Sequence, residues 1–413
     1  MGLQISECGT MSEYKTRIAS ENGGDYIYVN KFNHSLVFSD NGTKSLMSEP
    51  VVQENDTAWY IDLGSSEAEG SRLGTSEHPF ASIAEMGFFV PKNTNGHAIK
   101  VYVKAADGST DVSFNGFENL EIYGWSNSTY VPVVSLSNCK NIKIAATDTA
   151  TASEATDISI GSILNCDNVT FTRGTTNVGY INIAGPITNS SVTGIANVII
   201  NTTAAEGVPV FDIKQNSSVA FASVDASATK LIKVDNSEFD CDSVTSCNVT
   251  GINGADVRIY YLFTSKASDG KTLINADNLS NIAIKEYSKE ASEDSTYRDK
   301  VVVAASNNSR VSMLVATSQL IPVHSITAAT GSYVTVSTLT GYLVQGEDGA
   351  EDTIVNPTLE ANMASTIIYN SDAIDGSHSI TPVETKTTNG QINAVPEGVD
   401  LSGYVQYNAS TAS

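Results

Sequence analysis

The run DNSEFDCDS, beginning at Asp235, holds the densest set of groups able to do chemistry in this sequence. On a strand, Glu238, Asp240 and Asp242 project from one face with a period of two, about 6–7 Å apart. Carboxyl pairs at such separations serve glycoside hydrolysis: one acid protonates the leaving oxygen while the other activates water or attacks the sugar. The same row also reads as a solvated face on a chain that is acidic throughout. The sequence alone leaves both readings open.

Other catalytic constellations are not legible. His34, His78, His97, His324 and His378 are scattered, and none stands at a metal-ligand spacing, so neither a metal nor a cofactor is expected. No G-x-S-x-G elbow, P-loop or Rossmann fingerprint occurs. Lyase chemistry needs a basic residue near the scissile bond; within the repeats Arg173 and Arg258 are the candidate arginines, and neither neighbours the acidic row in sequence. Aromatic side chains offer a second route to carbohydrate. Tyr123, Trp125, Tyr130, Tyr180, Tyr260 and Tyr261 lie on or beside expected strands, where they either stack on sugar rings or serve as core and interface residues.

The elements that must position these groups are constrained first by composition. The chain has 413 residues, with 46 acidic against 23 basic, a formal charge of −23. A charge of that sign repels phosphate backbones, and no basic run offsets it, so nucleic-acid binding is not expected. Apolar residues make up 41%, enough for a sizeable core. No stretch approaches the roughly 18 apolar residues of a membrane span, and no secretory signal is legible at the N-terminus. Cys8, Cys139, Cys166, Cys241 and Cys247 are odd in number and fit neither a zinc site nor a dense disulfide framework; they read as free, partly buried thiols.

A phrase recurs through the middle of the chain: an Asn-containing turn, then a short apolar strand. It reads NCKNIKI from Asn138, NCDNVTF from Asn165 and NLSNIAI from Asn278, with weaker copies elsewhere. Anchoring on the first apolar strand residue gives Leu120, Ile142, Val169, Val198, Val219, Val244, Ile282 and Val311, most of them about 21 to 29 residues apart. Val192 serves as well as Val198, and the strand VRIYYLF from Val257 can fill the long gap before Ile282. Between the phrases lies a second set of strands, such as TDISIGSIL from Thr156 and KTLINA from Lys271, and almost no helical pattern. Parallel strands stacked coil upon coil account for both features. The expected fold is therefore all-β, a right-handed parallel β-helix, with Asn side chains laddering at the turns and Cys139 and Cys166 at equivalent positions.

A solenoid needs its open ends covered. In HPFASIAEMGFFV, from His78, the residues Phe80, Ile83, Met86 and Phe89 form a stripe of helical spacing, and Pro91 ends it. The spacing predicts a short helix that plugs the N-terminal mouth.

The run from Trp59 to Asn93, followed by HAIKVYVKAADGS, resembles the lead-in to phage tail-spike and tail-fibre β-helices, a motif shared with pectate-lyase-like enzymes and bacterial surface proteins. The matching features are the strand Trp59–Leu63, the loop Gly64–Gly70, Gly74-Thr75, Pro79-Phe80-Ala81-Ser82-Ile83, and Ile99-Lys100-Val101-Tyr102-Val103. A weaker similarity to the ends of phage fibre proteins lies in AVPEGVDLSGYVQYN, from Ala394. The resemblance implies three parts: an N-terminal β-rich virion-attachment module (1–58), a capping helix and β-helix (59–315), and a C-terminal β-rich module (316–413) that contributes to trimerisation. It implies a homotrimeric virion component, made in the host cytoplasm, that contacts other tail or baseplate proteins and a host-surface glycan, with no nucleic acid and no membrane insertion. The expectation is a non-catalytic fibre. A polysaccharide depolymerase on the same scaffold and a bacterial surface adhesin are the competing classes.

Overall fold

The computed structural model describes residues 4–8, 26–30, 35–40, 43–48, 58–68, 72, 74–87, 90, 92, 94, 96–107, 111–125, 130–146, 157–172, 181–200, 211–264, 271–289, 300–315, 323–339, 342–344, 353–355, 358–371 and 384–395. It divides into two compact units, residues 1–182 with 190–192 and residues 183–189 with 193–413. Both are built from parallel strands stacked coil on coil, a β-solenoid.

Near the N-terminus, Gln4–Cys8 pairs parallel with Tyr26–Asn30, and Ser35–Asp40 and Thr43–Ser48 follow antiparallel. These four strands form their own sheet. The first strand of the solenoid is Ala58–Asp62, paired parallel with Ile99–Lys104. Its other edge is covered by backbone: Tyr60 N–H donates to Gly74 O at 3.0 Å, and Asp62 N–H to Phe80 O at 2.8 Å. Phe80 is fully buried and stacks on Trp59, ring centroids 5.6 Å apart. Gly74 has φ +72°, and a β-carbon there would collide with both rings.

The helix expected here is a single turn, Ile83–Met86, with the Ser82 hydroxyl capping Glu85 N–H at 3.2 Å. Gly87, a poor helix former, follows at once, and Phe80 is extended rather than helical because it bridges to Ile61. The outer edge of the first strand is thus covered by Gly74 O and the Phe80 bridge, with bends between them; the helix is shorter than the stripe predicts, and Phe89 lies outside the described residues.

Within the first unit two series of strands interleave. Ile99–Lys104, Leu120–Gly124, Lys140–Ala145 and Asp167–Thr172 make one ladder, and Asp111–Asn115, Val133–Ser137 and Ile158–Leu164 the other. Inward residues stack on their equivalents, as in Val101, Ile122, Ile144 and Phe171, all fully buried.

The second unit repeats this plan. One inward stack runs Val219, Phe239, Val257, Ile282, Val311, Val334, Ile367. The rung anchor near residue 240 is therefore Phe239; Val244, chosen from the sequence, stacks instead between Val224 and Leu262 at a corner. A second stack runs Ala276, Ala305, Ala328, Ala361, small residues all buried. The parallel ladder also continues past residue 315: Arg310–Val315 pairs with Tyr333–Leu339, that strand with Thr366–Ser371, and that one with Gln391–Val395. The coils thus run across residue 316, where a separate C-terminal module was expected to begin, because polar loops between rungs look like a new module when the register is unknown.

What fixes the register is the turn before each rung. Asn138, Asn165, Asn216, Asn236, Asn278 and Asn308 all have positive φ, a conformation Asn tolerates better than other side chains. Their amides ladder: Asn165 Nδ2 donates to Asn138 Oδ1 (3.4 Å), Asn236 to Asn216 (3.0 Å) and Asn278 to Asn253 (2.8 Å). One or two residues further on, a small side chain turns inward. In the second unit Ser217, Ser237, Ser280, Ser309, Ser332 and Ser365 hold this place, and Ala255, Ser280, Ser309 and Ser332 each donate their backbone N–H to the serine hydroxyl of the following coil at 3.1–3.2 Å. Cys139 and Cys166 stand at the same position in the first unit, where Cys139 N–H points at Cys166 Sγ (3.4 Å). Both are free and buried, as is Cys241. Their sulfurs interact, which pulls the Cys139 thiol down to about 7 and pushes that of Cys166 up. Packing accounts for a small residue at this place.

Candidate functional site

The chemistry-bearing residues of the second unit converge at a corner of three successive coils, formed by the strands Glu238–Ile252, Asp256–Thr264 and Asn281–Lys289. Strand alternation points Phe239 and Cys241 inward and Glu238, Asp240 and Asp242 outward, on one face. At the corner the alternation breaks, and two consecutive residues face out in each coil: Asp242-Ser243, Tyr260-Tyr261 and Lys285-Glu286. The ladder aligns them. Cys241 pairs with Ile259 and Ser243 with Tyr261, which sets Asp242 against Tyr260, and Tyr261 pairs with Glu286. Corner geometry thus explains why both neighbouring tyrosines are on the outside.

Register also brings in an arginine that sequence distance had set aside. Asp240 pairs with Arg258 across the strands, and Arg258 Nε lies 2.8 Å from Asp240 Oδ1 and 3.5 Å from Asp256 Oδ2. The Nε–H is not aimed at Oδ1, so the 2.8 Å contact is an ion pair and not a directed hydrogen bond. Beside it, Lys285 Nζ donates to Tyr260 Oη at 2.6 Å and sits 3.8 Å from the ring centroid. That ammonium stabilises the phenolate and holds the Tyr260 hydroxyl below the ordinary tyrosine range, while Tyr261, hydrogen-bonded to Tyr260, is raised. The Tyr260 and Tyr261 rings are 4.3 Å apart and tilted, and Tyr261 stacks on Phe263 at 5.8 Å.

The aromatics of the first unit are arranged differently. Tyr60, Tyr102 and Tyr123 form an outward ladder, stacked face to face at 4.9 and 5.3 Å. Tyr123 is only 4% exposed; its hydroxyl donates to Glu121 Oε2 (2.7 Å) and accepts from Lys143 Nζ (3.2 Å). Tyr123 is thus placed as a rung of this ladder, with its ring against that of Tyr102. Trp125 packs tilted on Tyr60 at 5.2 Å, with Lys104 Nζ 5.6 Å from its ring. Tyr130 is 45% exposed. Tyr180 and Arg173 lie outside the described residues.

The corner therefore unites the predicted Asp240, Asp242, Tyr260 and Tyr261 with Arg258, Lys285 and Phe263. Neither type nor spacing singles out Lys285 or Phe263 in the sequence; of the two, Lys285 makes the polar contact. It is 25 residues beyond Tyr260, one coil away, and only the rung register exposes that relation. Among the described residues no three His, Cys, Asp or Glu side chains converge as metal ligands. Chemically, the corner offers planar hydrogen-bonding groups (carboxylates, a guanidinium) next to aromatic rings, an arrangement that suits polyhydroxylated ligands. No protein-family model, curated protein or solved structure matches this chain.

Proposed function

We propose that the chain is a structural fibre or spike protein of a phage tail that attaches the virion to carbohydrate on the host surface without cleaving it. The observation that carries this reading is the corner of the second unit, where Asp242, Arg258, Tyr260 and Tyr261 stand together outside the stacked coils. Carboxylates and guanidinium bond sugar hydroxyls, and tyrosine rings cover their apolar edges. The similarity of the Trp59–Val103 lead-in to tail-spike β-helices supplies the phage context. In this reading the N-terminal sheet joins other tail proteins, the chain assembles as a homotrimer, and weak single contacts gain avidity from repetition around the virion.

Depolymerisation on the same scaffold is the second reading, favoured by the shared face of Asp240, Asp242 and Arg258. Against it stands the commitment of Asp240 to an ion pair with Arg258. Incubation of the purified protein with host envelope polysaccharide separates the two. Cell binding with no release of fragments on size-exclusion chromatography is expected. Fragmentation that disappears in a Glu238→Gln/Asp240→Asn/Asp242→Asn variant would make the protein a depolymerase, and neither binding nor cleavage would leave it a structural component alone.

A further inference from the structure

We propose that Cys139 and Cys166 are an oxidisable pair that peroxide closes into a disulfide, stapling two successive coils of the first unit. Packing asks only for a small residue at this place. Serine meets that need in most of the coils that follow and accepts the N–H of the coil before, as Ser190 does from Cys166 at 2.9 Å. Sulfur is the weaker acceptor, and the Cys139 N–H stands 3.4 Å from Cys166 Sγ. Cysteines in two consecutive coils therefore give up hydrogen-bond strength here. What they add, and serine cannot, is a covalent link.

The geometry suits that link. Lys140 pairs with Asp167, and Asp167 N–H donates to Cys139 O at 3.0 Å, so the cysteines one step earlier share a register position on neighbouring coils. Such strands lie about 4.8 Å apart, inside the roughly 4.4–6.8 Å that separates the α-carbons of disulfide-bonded residues. Each thiol lies 3.2 Å from the carbonyl two residues before it, Ser137 O and Leu164 O, so the sulfurs occupy matching places in their turns. Cys139, its thiol drawn down to about 7 by Cys166, supplies the thiolate. It attacks hydrogen peroxide, whose O–O bond breaks to give the Cys139 sulfenic acid and hydroxide. Cys166 Sγ then attacks that sulfur, the S–O bond breaks, and water leaves. The two thiols lose two electrons and two protons, and one peroxide becomes two waters.

The test treats the full chain with hydrogen peroxide and maps its tryptic peptides without reduction. Lys140 and Lys143 lie between the cysteines, so the link joins two peptides that are otherwise separate. The expected result is the joined Cys139–Cys166 pair and a thermal midpoint raised by about 5 °C, both reversed by dithiothreitol. Cys139→Ser and Cys166→Ser install the residue that the following coils carry; each should fold like the parent by circular dichroism and lose both responses. Cys139 recovered as sulfinic acid, or joined to another cysteine, overturns the pairing, as does a pair that peroxide leaves reduced in the folded protein. A joined pair with an unchanged or lower midpoint overturns the stapling.

Discussion

Arg258 and Asp240 occupy one register position on neighbouring coils, and their side chains meet at 2.8 Å with each about one-fifth exposed. Eighteen residues separate them in the chain, and only the coil between Phe239 and Val257 makes them neighbours. The pair also decides how the acidic row behaves, because it ties the middle carboxylate to the scaffold and leaves Glu238 and Asp242 facing solvent.

Replacing Arg258 with Met should cost about 1 kcal/mol, the upper range for a partly exposed ion pair after solvent screening. A double-mutant cycle with Asp240→Asn, read from urea denaturation, should return a coupling of several tenths of a kcal/mol that shrinks with added salt. A coupling of zero would mean that the contact contributes nothing and that Asp240 is available for other roles.

The buried serines lead to a second expectation. Ser309, 2% exposed, accepts the Ser280 N–H at 3.1 Å and donates its own N–H to Ser332. Ser309→Ala keeps the small volume and deletes one acceptor, leaving a buried N–H without its partner, so a loss of about 1–3 kcal/mol is expected. Amide exchange should accelerate first at Ser280. Uniform acceleration across the unit, or none, would show that the serine line does not hold individual coils together.

At Leu279 the local preferences oppose the fold. It has φ +64° and is 66% exposed, so it is strained by its β-carbon and contributes little to the core. Equivalent turns carry Gly254, Asn308 and Gly331. Leu279→Asn should stabilise the protein by about 1 kcal/mol and raise the thermal midpoint. A lower midpoint would imply that the leucine side chain packs against something in the assembled protein.

These positions also show what can be read from the chain unaided. The Asn turns were legible because a left-handed conformation favours Asn or Gly, and the I-x-I strands because each rung alternates in and out. The serine line was not, since serine is equally at home in any polar turn and only burial distinguishes the two. Val244 reads as an anchor because it follows polar, turn-like residues, as the true anchor Phe239 also does. The corner was half legible: Asp240, Asp242, Tyr260 and Tyr261 stand out by type, whereas Arg258 and Lys285 acquire meaning only when loops of unequal length have been subtracted from their spacing.

Asp277 interrupts the amide ladder with a carboxylate, and this makes one turn sensitive to acid. Its Oδ1 accepts from Ser306 Oγ (2.6 Å), Asn307 Nδ2 (2.8 Å) and Asn278 N–H (2.9 Å). The Ser306 bond, followed by those from Asn307 and Asn278, holds the carboxyl below its ordinary value against the opposing effect of burial. A group depressed in the folded state adds stability at pH above its unfolded pKa, about 3.9, and that stability is lost as pH falls through the folded value. Asp277→Asn keeps an oxygen in place for all three donors but cannot be protonated in this range. The variant should therefore match or fall slightly below the parent near neutral pH, and lose less of its stability between pH 5 and 2 in urea titrations. Parallel pH profiles for the two proteins would exclude this turn as an acid-sensitive element and shift attention to the other carboxylates.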